Sequence, residues 1–183
     1  MGEAKRRRQA GAPASPCRTC TLCCSILEIE ALAKPMYVPC RHLAEQGCGI
    51  YGQPERPQVC AGFRCLHVVA QEARAPDRHA IPHPADCGAY LARDPLSKRI
   101  AVFVDPARPE RWKATALPAY LRPFLRSGFA VEIYDRGRRM EIASAPLFEE
   151  VLRMDYVAFA EREGRPLDFP SYRDAHPAPA TGA

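Results

Sequence analysis

Cysteines are concentrated in one short part of this chain, where eight of the nine lie within residues 17–65. The eight are Cys17, Cys20, Cys23, Cys24, Cys40, Cys48, Cys60 and Cys65. Thiolates are preferred ligands of zinc and of iron–sulfur clusters, and closely spaced cysteines can direct several thiolates at one centre. The segment around them has too little apolar periodicity to fold by hydrophobic burial alone. The sequence therefore predicts that these eight cysteines bind metal.

The spacing of the first four cysteines favours iron. Cys17, Cys20 and Cys23 stand three positions apart, as in the loops that wrap a ferredoxin-type cluster. Structural zinc sites more often use two separated Cys-x2-Cys pairs, and the sequence has no second such pair. The adjacent side chains of Cys23 and Cys24 diverge, so they suit two irons of one cluster, or one metal ligand beside a separate redox thiol. We therefore favour an iron–sulfur cluster or iron as the cofactor, with zinc as the alternative.

The number of centres stays open, because eight thiols also allow two four-thiolate sites or one cluster with a structural zinc. Disulfides are the other use of dense cysteines, and they require an oxidising compartment. Residues 1–16 begin with basic residues but lack the apolar stretch of a secretory signal. No run approaches the ~18 apolar residues that span a bilayer. We expect free thiols, a cytoplasmic location and no membrane partner.

Several residues between the cysteines also follow a recognisable order. They are Pro39-Cys40-Arg-His-Leu43, Cys48-Gly-Ile-Tyr51, Arg56-Pro57 and Phe63-Arg-Cys65. Together with the first four cysteines, this pattern over residues 17–67 resembles the CxxCxxCC cysteine-cluster family. That family is described as zinc- or iron-chelating and often as iron–sulfur oxidoreductases, and a flagellin lysine methylase carries the cluster. The resemblance implies metal chelation by all eight cysteines but no single reaction, and at His67 family members commonly have Trp.

Other residues near the cysteines have two interpretations each. His42 and His67 each follow a cysteine by two positions. They are either metal ligands or donors to a thiolate, or else packed or surface histidines. Arg18, Arg41 and Arg64 adjoin cysteines and either offset thiolate charge or are ordinary surface residues.

The remaining cluster residues are expected to support the metal rather than to react. Tyr51 and Phe63 are predicted to pack over it, and Arg56 to bond backbone carbonyl groups. Cys87 lies outside the cluster, so its replacement should be nearly silent.

The rest of the sequence carries no motif for self-contained catalysis. It has no phosphate loop, dinucleotide fingerprint, nucleophile elbow or metalloprotease helix, so any catalysis would depend on the metal. The basic run at residues 5–8 lacks stacking aromatics, which argues against nucleic acid as a partner. We predict an iron-binding protein with a redox role, such as an iron–sulfur oxidoreductase. The alternatives are a zinc-stabilised interaction module that docks a protein partner without catalysis, and a protein of metal trafficking or sensing.

Patterning predicts an α+β protein that begins with a small Cys-rich, metal-organised domain of little regular structure. The predicted divisions are a disordered basic tail at 1–16, the cysteine-cluster domain at 17–94, a small α/β segment at 95–165 and a flexible tail at 166–183. We expect about three strands and two helices in the α/β segment. The expected helices of the chain cover residues 25–34, about 68–74, 117–125 and 146–163, and the expected strands cover 99–104, 129–134 and 140–143.

Overall fold

A computed structural model of the chain describes residues 20–45, 47–74, 81–93 and 96–177. Its strands are β1 (Leu43–Ala44), β2 (Gly47–Cys48), β3 (Ala89–Arg93), β4 (Arg99–Val104), β5 (Ala130–Asp135) and β6 (Arg138–Ile142). Its helices are α1 (Leu22–Ile26), α2 (Gln58–Gly62), α3 (Leu66–Glu72), α4 (Pro84–Cys87), α5 (Leu117–Arg126), α6 (Ala145–Arg153), α7 (Tyr156–Arg162) and α8 (Ser171–Ala175). This is the mixed α+β class that the sequence predicts. Within these ranges, no helix has the length and apolar character required to cross a membrane.

A four-stranded sheet in the order β3-β4-β5-β6 organises the fold. The outer pairs are antiparallel, and β4 and β5 are parallel. Parallel neighbours cannot be joined by a tight turn, and α5 lies in the crossover connection between them. The hairpin of β5 and β6 turns at Arg136 and Gly137, whose positive φ angles of 43° and 78° are typical of a type I′ turn.

One face of the sheet carries the main hydrophobic core. Ile100 and Val102 of β4 are fully covered there. Residues four positions apart share one side of a helix, so Leu117, Leu121 and Leu125 of α5 all point at the strands. The predicted strand at 99–104 and the predicted helix at 117–125 are therefore confirmed, and burial of these side chains explains their spacing.

The opposite face carries a row of three aromatic rings, one from each of β3, β4 and β5. In the sheet register Tyr90 pairs with Phe103, and Phe103 pairs with Tyr134. The first two rings stack at 4.7 Å with 7° between their planes, and the second two at 4.6 Å with 15°. Leu22 and Ile26 of α1 join the same buried cluster. This aromatic row is the surface on which the cysteine-bearing segments pack.

The cysteine-bearing segments contain short elements, and the predicted helix at 25–34 is wrong. The helix there is α1, which ends at Ile26 because the backbone of Leu27 is extended. Ile29 and Lys34 then form an antiparallel bridge, with N–H to O distances of 2.9 and 3.1 Å. The side chain of Ser25 does not cap a helix but donates to the carbonyl oxygen of Thr21 at 3.1 Å. The helical spacing of the sequence does not decide the structure here, because the observed path of the chain buries both Ile26 and Ile29.

The second half of the chain follows its predicted pattern with one difference. The expected hairpin strands are present, and the Ser144 hydroxyl accepts from the Leu147 amide at 3.4 Å as an N-cap. The single helix predicted at 146–163 is instead the pair α6 and α7. The Asp155 carboxylate accepts from the Ala158 amide at 3.1 Å, which caps α7 separately. Between residues 96 and 165, three α-helices, rather than two, therefore accompany the three strands.

The predicted division at residue 94 does not separate two packing units. Strand β3 lies before that boundary but pairs along its length with β4. The structure describes the predicted tail at 166–183 as far as residue 177, and this part includes α8. Residues 165–176 are here called the C-terminal strap. The Phe169 amide donates to the Gly137 carbonyl in the β5–β6 turn at 2.9 Å, and the Ser171 hydroxyl donates to the Met36 carbonyl at 2.7 Å. The strap therefore contacts both the sheet and the cysteine-bearing segments. The Tyr37 and Tyr172 rings meet edge to face at 5.3 Å.

The contact between the strap and the hairpin turn gives a first test. At Gly137 an added Cβ would lie 2.7 Å from the Cβ of Tyr172, and the positive φ angle adds strain. We expect Gly137→Ala to lower the free energy of unfolding by about 2–4 kcal/mol in urea denaturation. The matched control is Gly164→Ala, which has a φ of 65° but nothing within 4 Å. It should cost only the strain, about 1–2 kcal/mol, and equal losses would contradict the proposed clash.

Candidate metal centre

Seven of the eight cluster cysteines surround one cavity of about 110 Å³. They are Cys20, Cys23, Cys24, Cys40, Cys48, Cys60 and Cys65. Cys17 lies outside the described residues. All seven are free thiols, with none in a disulfide. The structure thus brings together cysteines that are spread over 46 positions of sequence, from 20 to 65.

Different elements supply these thiols. Cys20 precedes α1, and Cys23 and Cys24 lie within it. Cys40 precedes the small β1–β2 hairpin, and Cys48 is the last residue of β2. The other two belong to neighbouring helices: Cys60 lies in α2 and Cys65 is the N-cap residue of α3.

Backbone hydrogen bonds tie these separate segments to one another. The Cys40 amide donates to the Cys24 carbonyl at 2.9 Å, which joins the hairpin to α1. The His42 amide lies 3.4 Å from the Cys40 sulfur and donates to it. Arg56 donates through Nη2 to the Cys60 carbonyl at 2.6 Å, as predicted for this residue. The cavity wall is therefore held by main-chain contacts as well as by its side chains.

Apolar side chains fill the space between the thiols. They include Leu27, Ile29, Leu32, Ile50, Pro57, Val59, Phe63 and Val68. Tyr51 and Phe63 both line the cavity, in agreement with their predicted positions. Such a lining lowers the local dielectric, so charges within the cavity interact more strongly than they would in water.

Two cations act on the thiols. Lys34 is only 6% exposed and its Nζ donates to the carbonyl oxygens of Leu27 and Pro35. The Arg56 guanidinium lines the cavity and lies 4.5 Å from the centre of the Tyr51 ring. Sequence reasoning missed Lys34, because it falls at the end of a helix that does not form. No sequence signal marked its burial.

The arginines next to cysteines do not take this role in the described part of the chain. Arg41 is exposed and bonds His42. Arg64 lies at the cavity rim, where it donates to the carbonyl oxygens of Ala61 and Phe63 and pairs with Glu72. Both are surface residues. Arg18 lies outside the described residues.

The thiols differ in acidity because their surroundings differ. The pKa of Cys24 falls to about 7, chiefly through a hydrogen bond from the Cys23 thiol, and with help from the charges of Lys34 and Arg56 against the effect of burial. Burial raises the pKa of Cys48 and of Cys60. Burial also lowers the pKa of Lys34, although thiolates at Cys40 and Cys24 oppose that shift. Cys24 is therefore the most acidic thiol among these groups.

The remaining predicted candidates fall in different places. His42 lines the cavity. His67 does not: its Nδ1 donates to the Ile81 carbonyl at 2.9 Å, and its ring meets His83 edge to face at 5.0 Å. Cys87 belongs to the main core on the other face of the sheet, where its thiol donates to the Ala89 carbonyl at 3.0 Å.

Tyr90 is a second residue of the site that sequence reasoning missed. It is 2% exposed and lines the cavity, and among the described residues its hydroxyl has no hydrogen-bond partner. The expected strands of the sequence begin only at residue 99, so nothing indicated that Tyr90 would lie on a strand beside the thiols.

No arrangement suited to a single metal ion is present as the side chains stand. In the ranges that the structure describes, no three His, Cys, Asp or Glu side chains are grouped so as to hold one ion.

Comparison with models of protein families, with curated proteins and with solved structures gave no match to this chain. The resemblance to the cysteine-cluster family thus stays a prediction that rests on the sequence pattern.

The acidity of Cys24 gives a second test. In metal-free, reduced protein a larger fraction of Cys24 than of Cys48 or Cys60 is thiolate at neutral pH, and the thiolate is the nucleophile. We expect iodoacetamide at pH 7 to modify Cys24 before Cys48 and Cys60, as measured by peptide mass spectrometry over time. The rate at Cys24 should rise as pH increases through about 7 and level off above it.

The control for this test removes a cation and keeps the thiols. Lys34→Met should raise the pKa of Cys24 and slow its modification at pH 7, because the nearby positive charge is lost. Modification of Cys48 before Cys24 in the unaltered chain would contradict the assigned electrostatics.

Proposed function

We propose that this chain is a metal-binding protein that holds iron, as an iron–sulfur cluster, in the thiol-lined cavity and has a redox role. The observation that carries the proposal is the convergence of seven cysteines on one cavity. These cysteines come from five separate stretches of chain, so local sequence alone does not account for their meeting. Seven free thiols around an apolar cavity are the donor set that iron–sulfur clusters and zinc prefer.

The surroundings of the thiols also suit a bound metal. Several thiolates in an apolar cavity would repel one another, and Lys34 and Arg56 place positive charge beside them. The unpartnered hydroxyl of Tyr90 offers a hydrogen-bond donor at the same cavity. These residues therefore fit a group whose sulfur ligands carry negative charge.

Different residues of the chain would have different roles at such a centre. The described cysteines, together with Cys17, would supply the ligands. Lys34 and Arg56 offset negative charge, and the apolar lining excludes water. An iron–sulfur cluster supplies one-electron exchange when bound. We extend the proposal to a cytoplasmic location, because free thiols persist in a reducing compartment.

Metal analysis tests the proposal directly. The protein is purified without oxygen, and its iron, zinc and acid-labile sulfide are measured together with its visible spectrum. We expect brown protein with iron and sulfide in matching amounts. Colourless protein with stoichiometric zinc would replace the cluster by a zinc-stabilised interaction module. Protein that takes up neither metal, even after reconstitution with iron and sulfide, would overturn metal binding.

Two cysteine variants test whether a cavity thiol is a metal ligand. Cys60→Ser removes a cavity thiol, and serine is a poor ligand for these metals, so we expect metal affinity to fall by more than about 100-fold. Cys87→Ser is the matched control, because Cys87 lies outside the cavity and a serine hydroxyl can keep the bond to Ala89. It should retain full metal content. Equal metal content in both variants would show that Cys60 is not a ligand.

A further inference from the structure

The hydroxyl of Tyr90 is a buried donor without an acceptor. A buried polar group normally has a partner, since removing it from water without one costs free energy. Tyr90 is almost completely covered, and its hydroxyl makes no hydrogen bond with any residue that the structure describes. The same residue lines the cavity together with the seven thiols. Its natural acceptor is therefore something that the cavity holds.

Packing fixes the direction of this side chain. The Tyr90 ring stacks on Phe103 at 4.7 Å, and the Phe63 ring meets its edge at 6.0 Å with 88° between the planes. Pairing of Tyr90 with Phe103 in the sheet register holds the backbone as well. A ring held on two sides cannot swing its hydroxyl out to water.

Negative charge at the cavity thiols also acts on the hydroxyl. The pKa of Tyr90 is raised mainly by burial, and then by negative charge at Cys23, Tyr37, Cys65 and Cys20. A phenol that is held protonated beside thiolates can act only as their hydrogen-bond donor.

Tyr134 shows what the same kind of side chain does where an acceptor is present. It belongs to the same aromatic row, and its hydroxyl donates to the Glu132 carboxylate at 3.1 Å. The Tyr90 hydroxyl has no such acceptor among the described residues, and its side chain lines the thiol cavity.

We propose that Tyr90 is a positioning residue for the metal centre, whose hydroxyl donates a hydrogen bond to a metal-bound sulfur in the cavity. This inference rests on the proposed function. A sulfur that is bound to metal keeps negative charge and accepts hydrogen bonds, and such bonds tune the potential of a cluster. A donor stabilises the more negative, reduced state more strongly, so Tyr90 should raise the reduction potential.

The test is Tyr90→Phe, which keeps the ring and its stacking and removes only the hydroxyl. After reconstitution with iron and sulfide, the midpoint potential is measured by optical redox titration. We expect it to fall by an amount on the order of 59 mV, which is a tenfold change for a one-electron couple. Tyr134→Phe, the matched control from the same row, should leave the potential unchanged. If the unaltered chain takes up zinc instead of iron, the quantity to measure is its affinity for Zn²⁺, by competition with a chelator. We then expect Tyr90→Phe to lower that affinity about tenfold.

A second readout separates this role from a structural one. Metal-free Tyr90→Phe should melt at the same temperature as the unaltered chain or higher, because the hydroxyl has no partner without the metal. A lower melting temperature would show a partner within the protein and overturn the inference. Unchanged potential or affinity in a variant that binds metal would also overturn it and leave the proposed function standing. Failure of the unaltered chain to bind metal would instead overturn the proposed function itself.

Discussion

The stacking of Tyr90 on Phe103, and of Phe103 on Tyr134, joins the cysteine-bearing segments to the sheet. Antiparallel and parallel pairing place these three residues side by side on three strands, so the sheet register fixes the row. The first ring of the row is also a wall of the thiol cavity. The position of the cavity relative to the rest of the fold therefore depends on this packing, and the five-residue helix α1 packs on the same row through Leu22 and Ile26.

Electrostatics sets a second constraint on the same region. Thiols gathered in an apolar cavity ionise only when positive charge or hydrogen bonds stabilise the thiolate. Lys34 supplies charge from a buried position, with its ammonium group bonded to backbone carbonyls. Arg56 supplies it from a guanidinium that also fixes the Cys60 backbone. Each of the two cations thus both stabilises thiolate charge and holds the backbone near the cavity.

Much of the second half of the fold could be predicted from local patterns. Alternation of residues predicts β5, the Asp-Arg-Gly sequence predicts the turn after it, and apolar residues four positions apart predict α5. The apolar residues of these patterns are buried against one face of the sheet, as the patterns require. The first half was less predictable. The apolar residues between 26 and 33 have helical spacing, yet Ile26 and Ile29 are buried by a chain that turns back on itself, so tertiary packing overrode the local preference.

The sequence by itself determined which side chains could bind metal, because thiol chemistry and the close spacing of cysteines are local properties. It also determined that Arg56 would serve the backbone and that Tyr51 and Phe63 would cover the cavity. Only the tertiary structure decided that Lys34 and Tyr90 belong to the site, that His67 does not, and that the C-terminal strap packs against Tyr37. These outcomes depend on contacts between residues far apart in the chain, and no local periodicity encodes such contacts.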